Sequence, residues 1–161
     1  MSTIIHNIPP VYDSESRILI LGSFPSVKSR EVQFFYGHPQ NRFWKVMSAV
    51  FDCKTPETTE EKKDFLLKNH IALWDVAASC EIEGSSDSSI KNVIPNDISK
   101  ILEAAKTEKI FVNGKTAEKY YNRFIFPSVK IKAVCLASTS PANAGCTLQK
   151  LIEEWSIIAA Q

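Results

Sequence analysis

Residues 17–22 read RILILG, a short apolar run that ends at a glycine. Its length and composition predict a buried strand rather than a helix. Residues 23–40 then place Pro25, Gly37 and Pro39 among serine and aromatic residues, and we expect a loop of unusual length there. Long loops in compact proteins usually carry function, so this one is the first place to search for a site.

Strands and helices alternate along the rest of the chain. The predicted strands cover residues 17–22, 71–76, 109–112 and 129–136. The predicted helices cover residues 41–51, 59–69, 97–106 and 115–124, and a last one begins near residue 147. Residues 80–93 are polar and rich in serine, and we expect a second long loop. This alternation predicts an α/β fold of three layers, α/β/α, around a four-stranded, mainly parallel sheet.

Length and composition bound the class of protein. The chain has 161 residues against ~150 for a typical domain, so we expect a single domain over residues 1–161. Hydrophobic residues make up 44% and charged residues 23%, which excludes disordered and fibrous classes. The formal net charge is +1, so any nucleic-acid binding must be local.

Location and redox state are also bounded by the sequence. No apolar run approaches the ~20 residues of a membrane helix, and the N-terminus lacks a signal-peptide pattern, so we expect a cytoplasmic protein, close to the nucleoid if its source is prokaryotic. The four cysteines are far apart and have no C-x-x-C pair. We therefore expect free thiols and no metal ion.

Common cofactor and hydrolase motifs are missing. No G-x-G-x-x-G follows a strand, and Gly114-Lys115-Thr116 fails as a P-loop because Lys109 stands where the leading glycine is required. No G-x-S-x-G is present either. We expect no cofactor.

The first long loop contains the most distinctive residues. Residues 34–44 read FFYGHPQNRFW, in which aromatic side chains precede small polar ones, a combination that can stack a flat base and bind its edges. Phe43 and Trp44 fall on the predicted helix and are interpreted as core. Phe35 and Tyr36 lie beside Gly37 in the loop, which favours a role in the site.

These residues also carry a resemblance. HPQNRFWKVM, with a G-x-x-P-S turn after the first strand, resembles the mismatch-specific uracil/thymine-DNA glycosylases of the uracil-DNA glycosylase superfamily. The S-x-S-P turn after the fourth strand is similar to that superfamily's second motif, the loop that grips DNA. The resemblance spans nearly the whole chain.

Two departures from the mismatch-specific pattern narrow the resemblance. Phe24 stands where that family has an asparagine, and Ser138 stands where a histidine or asparagine is usual. The HPxNRFW motif and a WDV-x-x-SC-x-x-x-G-S-x-D segment are similar to the deoxyinosine (hypoxanthine)-DNA glycosylase branch. The implied activity is that of a monofunctional repair glycosylase acting on DNA with a deaminated base.

The resemblance also implies roles for individual residues. Asn41 would carry catalysis, although as the residue that begins a helix it also fits a simple N-cap. Tyr36 matches the ring that stacks on the flipped base, and Asp75 either accepts from N1–H of hypoxanthine or stays solvated at a turn. The remaining candidates for base binding lie in or after the first strand and in the aromatic cluster: Gly22, Ser23, Phe24 and Phe35.

DNA contacts are expected from the loop after the fourth strand. Ser138 and Ser140 would bind phosphates, while Pro141, Ala142 and Asn143 would enter the minor groove as a wedge. Basic residues in or beside the site loops are further candidates for phosphate contacts: Lys28, Arg30, Lys91 and Lys115.

Three other functions stay open. The closest has the same fold and removes uracil or thymine from mismatches. A DNA-binding module without catalysis is a second, and a hydrolase of free nucleosides is a third. For the leading hypothesis, the deoxyinosine-DNA glycosylase, we expect a monomer.

Overall fold

The computed structural model describes residues 3–161. Seven strands occur in that range: β1 (Thr3–Ile5), β2 (Ile18–Gly22), β3 (Ile71–Asp75), β4 (Ala77–Glu81), β5 (Lys91–Pro95), β6 (Lys109–Asn113) and β7 (Ala133–Leu136). Seven α-helices occur with them: α1 (Val27–Val32), α2 (Phe43–Val50), α3 (Thr59–Lys68), α4 (Ser99–Ala104), α5 (Lys115–Tyr120), α6 (Phe126–Val129) and α7 (Leu148–Trp155). A turn of π-helix links α5 to α6, and 3₁₀ turns cover Asp87–Ser89 and Ser156–Ala160.

The central sheet has the strand order β3-β2-β6-β7, and all of its strands are parallel. All five residues of β2 and of β3 are buried, as expected for strands that are covered on both faces. Helices flank the sheet, and α2 packs against α7 through an edge-to-face contact between Phe43 and Trp155. The predicted α/β fold with a four-stranded parallel sheet is confirmed.

A second sheet was not predicted. Strands β1, β4 and β5 form a three-stranded antiparallel sheet, so the predicted loop over residues 80–93 is partly wrong. The sequence of β4, AASCE, has small and polar residues without clear alternation. Its pairing with β1 joins residues distant in sequence, and its pairing with β5 has an irregular register, and local patterns reveal neither.

Two short helices, α1 and α6, were also not predicted. The predicted loop over residues 23–40 contains α1, whose N-cap Ser26 accepts a hydrogen bond from the Ser29 N–H. Val129 ends helix α6 rather than beginning the fourth predicted strand, which begins at Ala133, and Lys130, at φ 60°, is the C-cap of that helix. Six and four residues are too few to show a helical period.

The carboxyl ends of the central strands meet at one edge of the sheet. In register, Gly22 lies opposite Asp75, and Asn113 lies opposite Leu136. Ligands of open parallel sheets bind at this edge. The fold therefore brings the loops that follow β2, β3, β6 and β7 to one place.

Within residues 3–161, no helix has the length and apolar character needed to cross a membrane. The cysteines among these residues form no disulfide bonds. Phe43 and Trp44, predicted as core, are both buried.

Candidate active site

A cavity of about 260 Å³ opens at the carboxyl edge of the central sheet. Its volume lies close to the lower end of the ~300–1,000 Å³ range of small-molecule sites, which suits one heterocyclic base rather than a large cofactor. The structure brings eleven of the predicted site residues to its walls: Gly22, Ser23, Phe24, Phe35, Tyr36, Asn41, Asp75, Ser138, Ser140, Pro141 and Ala142.

A wider groove of about 870 Å³ adjoins the cavity. The two remaining predicted residues, Lys115 and Asn143, line this groove and not the cavity. Five residues line both spaces and so mark the mouth between them: Ser85, Asp87, Ser138, Ser140 and Ala142. A base in the cavity and a nucleic-acid backbone in the groove would meet at this mouth.

Asn41 lies one residue before the N-cap of α2. Its Oδ1 accepts a hydrogen bond from the Phe43 N–H at 2.9 Å and another from the Thr139 hydroxyl at 2.9 Å. The first bond satisfies a backbone donor at the start of the helix, so the capping role weighed from the sequence is present in this form. Because both bonds engage Oδ1, the Nδ2 amide group is left free to donate.

The backbone N–H groups of Phe43 and Thr139 fix the direction of the hydrogen bonds that link Asn41, Thr139 and Asn113. The Thr139 N–H donates to Oδ1 of Asn113 at 3.0 Å, so the Asn113 Nδ2 must be the donor to the Thr139 hydroxyl, also at 3.0 Å. That hydroxyl then donates onward to Asn41. Thr139 is fully buried, and it joins the loop after β7 to the end of β6 and the start of α2.

Asp75 ends β3 at the closed side of the cavity and is 3% exposed. Burial first, and the charge of Asp87 second, raise the pKa of its carboxyl to about 8. Its Oδ2 has no hydrogen-bond partner among the described residues. At neutral pH, Asp75 is therefore a neutral carboxylic acid that offers both a donor and an acceptor.

His6 approaches Asp75 without forming an ion pair. Its Nδ1 accepts from the Ile8 N–H at 3.3 Å, so its Nε2 carries the proton and donates to the Ala77 carbonyl at 2.9 Å. The distance from Nε2 to Asp75 Oδ2 is 3.9 Å, and burial lowers the pKa of His6. Both groups are thus neutral near pH 7.

Tyr36 has a left-handed backbone, with φ 53°, and its ring stacks on Phe43 with centroids 4.0 Å apart. Its hydroxyl is buried and has no hydrogen-bond partner within residues 3–161. Burial, and next the Asp75 carboxyl, raise the pKa of Tyr36 well above its usual value, so the hydroxyl stays protonated.

Gly22 lies against both of these polar groups. A Cβ atom at this position would lie 2.5 Å from Asp75 Oδ1 and 2.9 Å from the Tyr36 hydroxyl oxygen. Any larger residue would therefore displace the polar atoms at the closed end of the cavity. The glycine predicted from the G-x-x-P-S turn is required here by space.

The serine-rich loop (residues 83–89) forms one side of the mouth. Asp87 accepts a hydrogen bond from the Ser23 hydroxyl, which lies 3.0 Å from each carboxylate oxygen. Arg30 donates to the Gly84 carbonyl at 2.8 Å, and Ser85 accepts from the Val27 N–H at 2.9 Å. These contacts fasten the loop to the segment after β2.

The 138–143 loop forms the other side of the mouth. The Asn143 amide donates to the Ser138 carbonyl at 2.9 Å, so it braces its own loop. Arg42 donates to the carbonyls of Asn143, at 3.0 Å, and of Cys146, at 2.5 Å. Pro141 and Ala142 are exposed at the tip.

The other predicted cationic residues are placed less favourably for phosphates. Arg30 is bonded to Gly84 and lies over the Phe24 ring, 5.4 Å from its centroid. Lys28 pairs with Glu31 at 3.9 Å on the surface of α1. Lys91 is exposed on β5 and lines neither the cavity nor the groove.

Sequence reasoning assigned no role to three residues of the site. Asn113 directly follows a predicted strand, at the edge where ligands bind, which was a usable signal. Asp87 belongs to the segment that carried the resemblance but received no role there. Thr139 had no signal, because its function depends on hydrogen bonds to residues 26 and 98 positions away.

Across residues 3–161, no group of three His, Cys, Asp or Glu side chains has an arrangement that would hold a metal ion. The polar groups of the cavity are instead amides, hydroxyls, one histidine and two carboxyls. Such groups can bind a base edge and a water molecule.

The chain is similar to proteins of known family. It is 40% identical over 114 residues to a hypoxanthine DNA glycosylase of Methanosarcina acetivorans, covering 70% of this chain and 72% of the relative. It is 33% identical over 137 residues to one of Methanosarcina barkeri, covering 84% and 85%. The solution NMR structure of a Methanosarcina acetivorans protein provisionally named a uracil DNA glycosylase superimposes with a TM-score of 0.83, at 31% identity, over 99% of this chain and 98% of that one.

The family assignment follows from the extent of these matches. The sequence model of the family described as the Uracil DNA glycosylase superfamily matches residues 9–156, which include all the central strands and the whole cavity. The resemblance inferred from the sequence is thereby confirmed. This chain belongs to the uracil DNA glycosylase superfamily.

Proposed function

We propose that this protein is a monofunctional DNA glycosylase that hydrolyses the N-glycosidic bond of deoxyinosine, releases hypoxanthine and leaves an abasic site. The observation that carries the proposal is the closed end of the cavity, where Asp75 Oδ2 and the Tyr36 hydroxyl are buried without hydrogen-bond partners in the described part of the chain. Buried polar groups normally have hydrogen-bond partners, so this pair indicates a polar ligand. The names of the two Methanosarcina relatives agree with it.

The neutral Asp75 carboxyl is complementary to the lactam edge of hypoxanthine. Its O–H can donate to O6 while its other oxygen accepts from N1–H, which gives two parallel hydrogen bonds. An ionised carboxylate would keep the second bond and lose the first. This supports base binding by Asp75, the first of the two roles weighed for it from the sequence.

Asn41 contributes a hydrogen-bond donor. Because its Oδ1 is already engaged, its Nδ2 group can stabilise negative charge on the departing base but cannot accept a proton from water. An amide held in place by two bonds needs little reorganisation as charge develops. We assign Asn41 to the departing base rather than to the attacking water.

Base flipping would place the nucleotide in the cavity and the DNA backbone in the groove. Flipping costs ~a few kcal/mol, which contacts from the enzyme must offset. Ser138 and Ser140 offer hydroxyls at the mouth, Pro141 and Ala142 form an exposed tip suited to a wedge, and Lys115 adds a positive charge in the groove. The Asn143 side chain supports the loop rather than reaching DNA.

Removal of uracil from DNA is the second candidate. Uracil also has a lactam edge, which the Asp75 carboxyl would bind in the same manner. The provisional name of the Methanosarcina acetivorans structure agrees with this alternative. Phe24, which lines the cavity in place of the asparagine of the mismatch-specific pattern, favours hypoxanthine.

Cell location and assembly form part of the same proposal. All side chains of the candidate site come from one chain, which supports action as a monomer and as a single domain over residues 1–161. Because its substrate would lie in chromosomal DNA, we also propose that the enzyme acts in the cytoplasm, at the nucleoid if its source is prokaryotic.

The test is base release from labelled duplexes that contain one deoxyinosine or one deoxyuridine, followed by alkali cleavage of abasic sites. We expect the wild type to release hypoxanthine and Asn41→Ala to be slower by about 100-fold or more, with DNA binding retained. Release of uracil alone would favour the second candidate. Binding without release of either base would favour a non-catalytic module, and hydrolysis of free inosine alone would favour a nucleoside hydrolase.

A further inference from the structure

We propose that Asp87 is the catalytic carboxylate that holds the attacking water molecule and accepts its proton. This inference rests on the proposed function, because it concerns the hydrolysis of a flipped nucleotide. Asp87 lies on the serine-rich loop and is the last residue of the WDV-x-x-SC-x-x-x-G-S-x-D segment, and the family resemblance gives it no role.

The position of Asp87 matches that of the reacting sugar. A flipped nucleotide has its base deep in the cavity, its phosphates in the groove, and its C1′ atom between them. Asp87 is the ionisable residue among the five that line both spaces. Asp75, in contrast, lines only the cavity, where the base would lie.

Other polar groups of the cavity are poorly suited to accept a proton. Asn41 uses its Oδ1 for two hydrogen bonds, and Asp75 is neutral at pH 7. Nδ1 of His38 accepts from the Gln40 N–H at 3.1 Å, so its Nε2 carries the proton and acts as a donor. Tyr36 stays protonated, and serine and threonine hydroxyls are weak bases.

The surroundings of Asp87 suit a water-holding role. The Ser23 hydroxyl donates between the two carboxylate oxygens, which leaves their other lone pairs free and fixes the group. The residue as a whole is exposed, so water reaches it, while its partial enclosure raises its pKa and the Ser23 bond offsets part of that rise. A carboxylate with a raised pKa is a better proton acceptor near neutral pH.

The reaction balances with water as the only co-reactant. The C1′–N9 bond breaks, and its electron pair leaves with hypoxanthine, whose charge the Asn41 amide stabilises. The water oxygen bonds to C1′ and passes one proton to Asp87, which returns it to solvent. Hypoxanthine takes up one proton from solvent. The two products together therefore contain the atoms of the substrate plus those of one water molecule.

The decisive variants are Asp87→Asn and Asp87→Ala, assayed by single-turnover release of hypoxanthine with enzyme in excess. We expect the rate constant of Asp87→Asn to fall by about 100-fold or more, with little change in the Kd for DNA or in Tm. Formate, a small carboxylate, should restore part of the rate of Asp87→Ala. Asp64→Asn is the matched control, since Asp64 is exposed on α3 and lines neither space.

The pH profile separates this role from a structural one. The wild-type rate should fall at low pH as Asp87 becomes protonated, and this acid limb should disappear in Asp87→Asn. The hydrogen bond from Ser23 lowers the pKa of Asp87. In Ser23→Ala this bond is missing, so the pKa of Asp87 should rise and the acid limb should move to higher pH. The other ionisable groups near the loop, the cavity and the groove are His6, Arg30, Tyr36, His38, Asp75, Cys80, Glu83, Lys115, Glu118, Cys135, Cys146 and Glu154.

Each outcome addresses a defined claim. An Asp87→Asn variant that keeps a third or more of the wild-type rate, or keeps the acid limb, would overturn the role of Asp87 alone. A loss of rate that matches a loss of folded protein or of DNA binding would also overturn it. A wild-type protein that leaves deoxyinosine intact would overturn the proposed function itself.

Discussion

The Thr139 hydroxyl donates a hydrogen bond of 2.9 Å to Oδ1 of Asn41. This contact, with the bond from the Phe43 N–H, engages Oδ1 of Asn41, a residue of the cavity wall, and leaves its amide nitrogen as the group that can donate to a ligand. Through this bond, a threonine of the 138–143 loop helps to hold a residue that lies just before α2. The chemistry available to Asn41 is therefore set from a different loop.

Thr139→Val tests this support, because valine keeps the shape and removes the hydroxyl. We expect the rate of base release to fall about tenfold or more as Asn41 loses its fixed orientation. The free energy of unfolding should fall by about 1–3 kcal/mol, since the Asn113 amide loses its buried acceptor. Single-turnover kinetics and urea denaturation measure the two effects. Thr139→Ser, which keeps the hydroxyl, should stay close to wild type, and equal losses in both variants would contradict the prediction.

Asn41→Asp tests whether the amide nitrogen of Asn41 acts in catalysis as a donor. Aspartate can still accept from the Phe43 N–H and the Thr139 hydroxyl, but it puts a carboxylate oxygen where Nδ2 donates. We expect a loss of rate at least as large as in Asn41→Ala, about 100-fold or more, because an acceptor there repels the departing base. Retained helix stability, measured as Tm, is the control. An Asn41→Asp variant faster than the wild type would show that the residue acts as a base.

Local patterns predicted the central sheet because its strands are short buried runs, as in RILILG, and because α2 and α7 have clear apolar faces. They missed the antiparallel sheet, in which β1 and β4 pair across about 75 residues, as Ile4 and Cys80 do, and in which the register of β4 against β5 shifts. Residue types and the family resemblance identified eleven of the residues that line the cavity. They did not identify Thr139, since a buried threonine in a polar loop gives no signal until its partners are known.

Asp75→Asn should change the pH dependence of stability. The pKa of Asp75 is about 8 in the folded protein, against 3.8 for an aspartate in the unfolded chain, so folding takes up a proton between these pH values. The wild type therefore loses stability as pH rises from about 4 to about 8, at up to ~1.4 kcal/mol per pH unit. Asparagine is neutral throughout. The free energy of unfolding of Asp75→Asn, relative to that of the wild type, should therefore rise by roughly 2 kcal/mol between pH 5.5 and 7. Urea denaturation measures it, Asp64→Asn is the control, and parallel curves would contradict the pKa shift.

The same carboxyl should set the basic limb of activity. Above pH 8, Asp75 ionises and loses the proton that it donates to O6, so base release by the wild type should decline. In Asp75→Asn, the amide can still pair with the lactam edge, and this decline should be absent. Rates measured between pH 6 and 9.5 test the point. A basic limb that persists in Asp75→Asn would assign it to another group.

Gly22→Ala tests the closed end of the cavity by filling it. The added methyl group would lie 2.5 Å from Asp75 Oδ1 and 2.9 Å from the Tyr36 hydroxyl oxygen, so both must move. We expect base release to fall about tenfold or more, because small displacements of binding groups are costly to rate. Gly145→Ala is the matched control, since no atom lies within 4 Å of its added Cβ. Equal activities in the two variants would show that Asp75 and Tyr36 do not bind the base.

Arg42→Lys tests whether the 138–143 loop must be held in place before DNA binds. The guanidinium group reaches the carbonyls of Asn143 and Cys146 together, and a single ammonium group cannot reproduce this two-pronged geometry. We expect faster hydrogen exchange at residues 140–146 and a Kd for deoxyinosine DNA that rises several-fold. The rate constant at saturating enzyme should change less, because the Arg42 N–H still bonds the Thr139 carbonyl at 3.1 Å. Arg123→Lys on the exposed surface is the matched control. If Arg42→Lys slows catalysis at saturation while the Kd is unchanged, Arg42 acts on the reaction through its neighbour Asn41 and not through the loop.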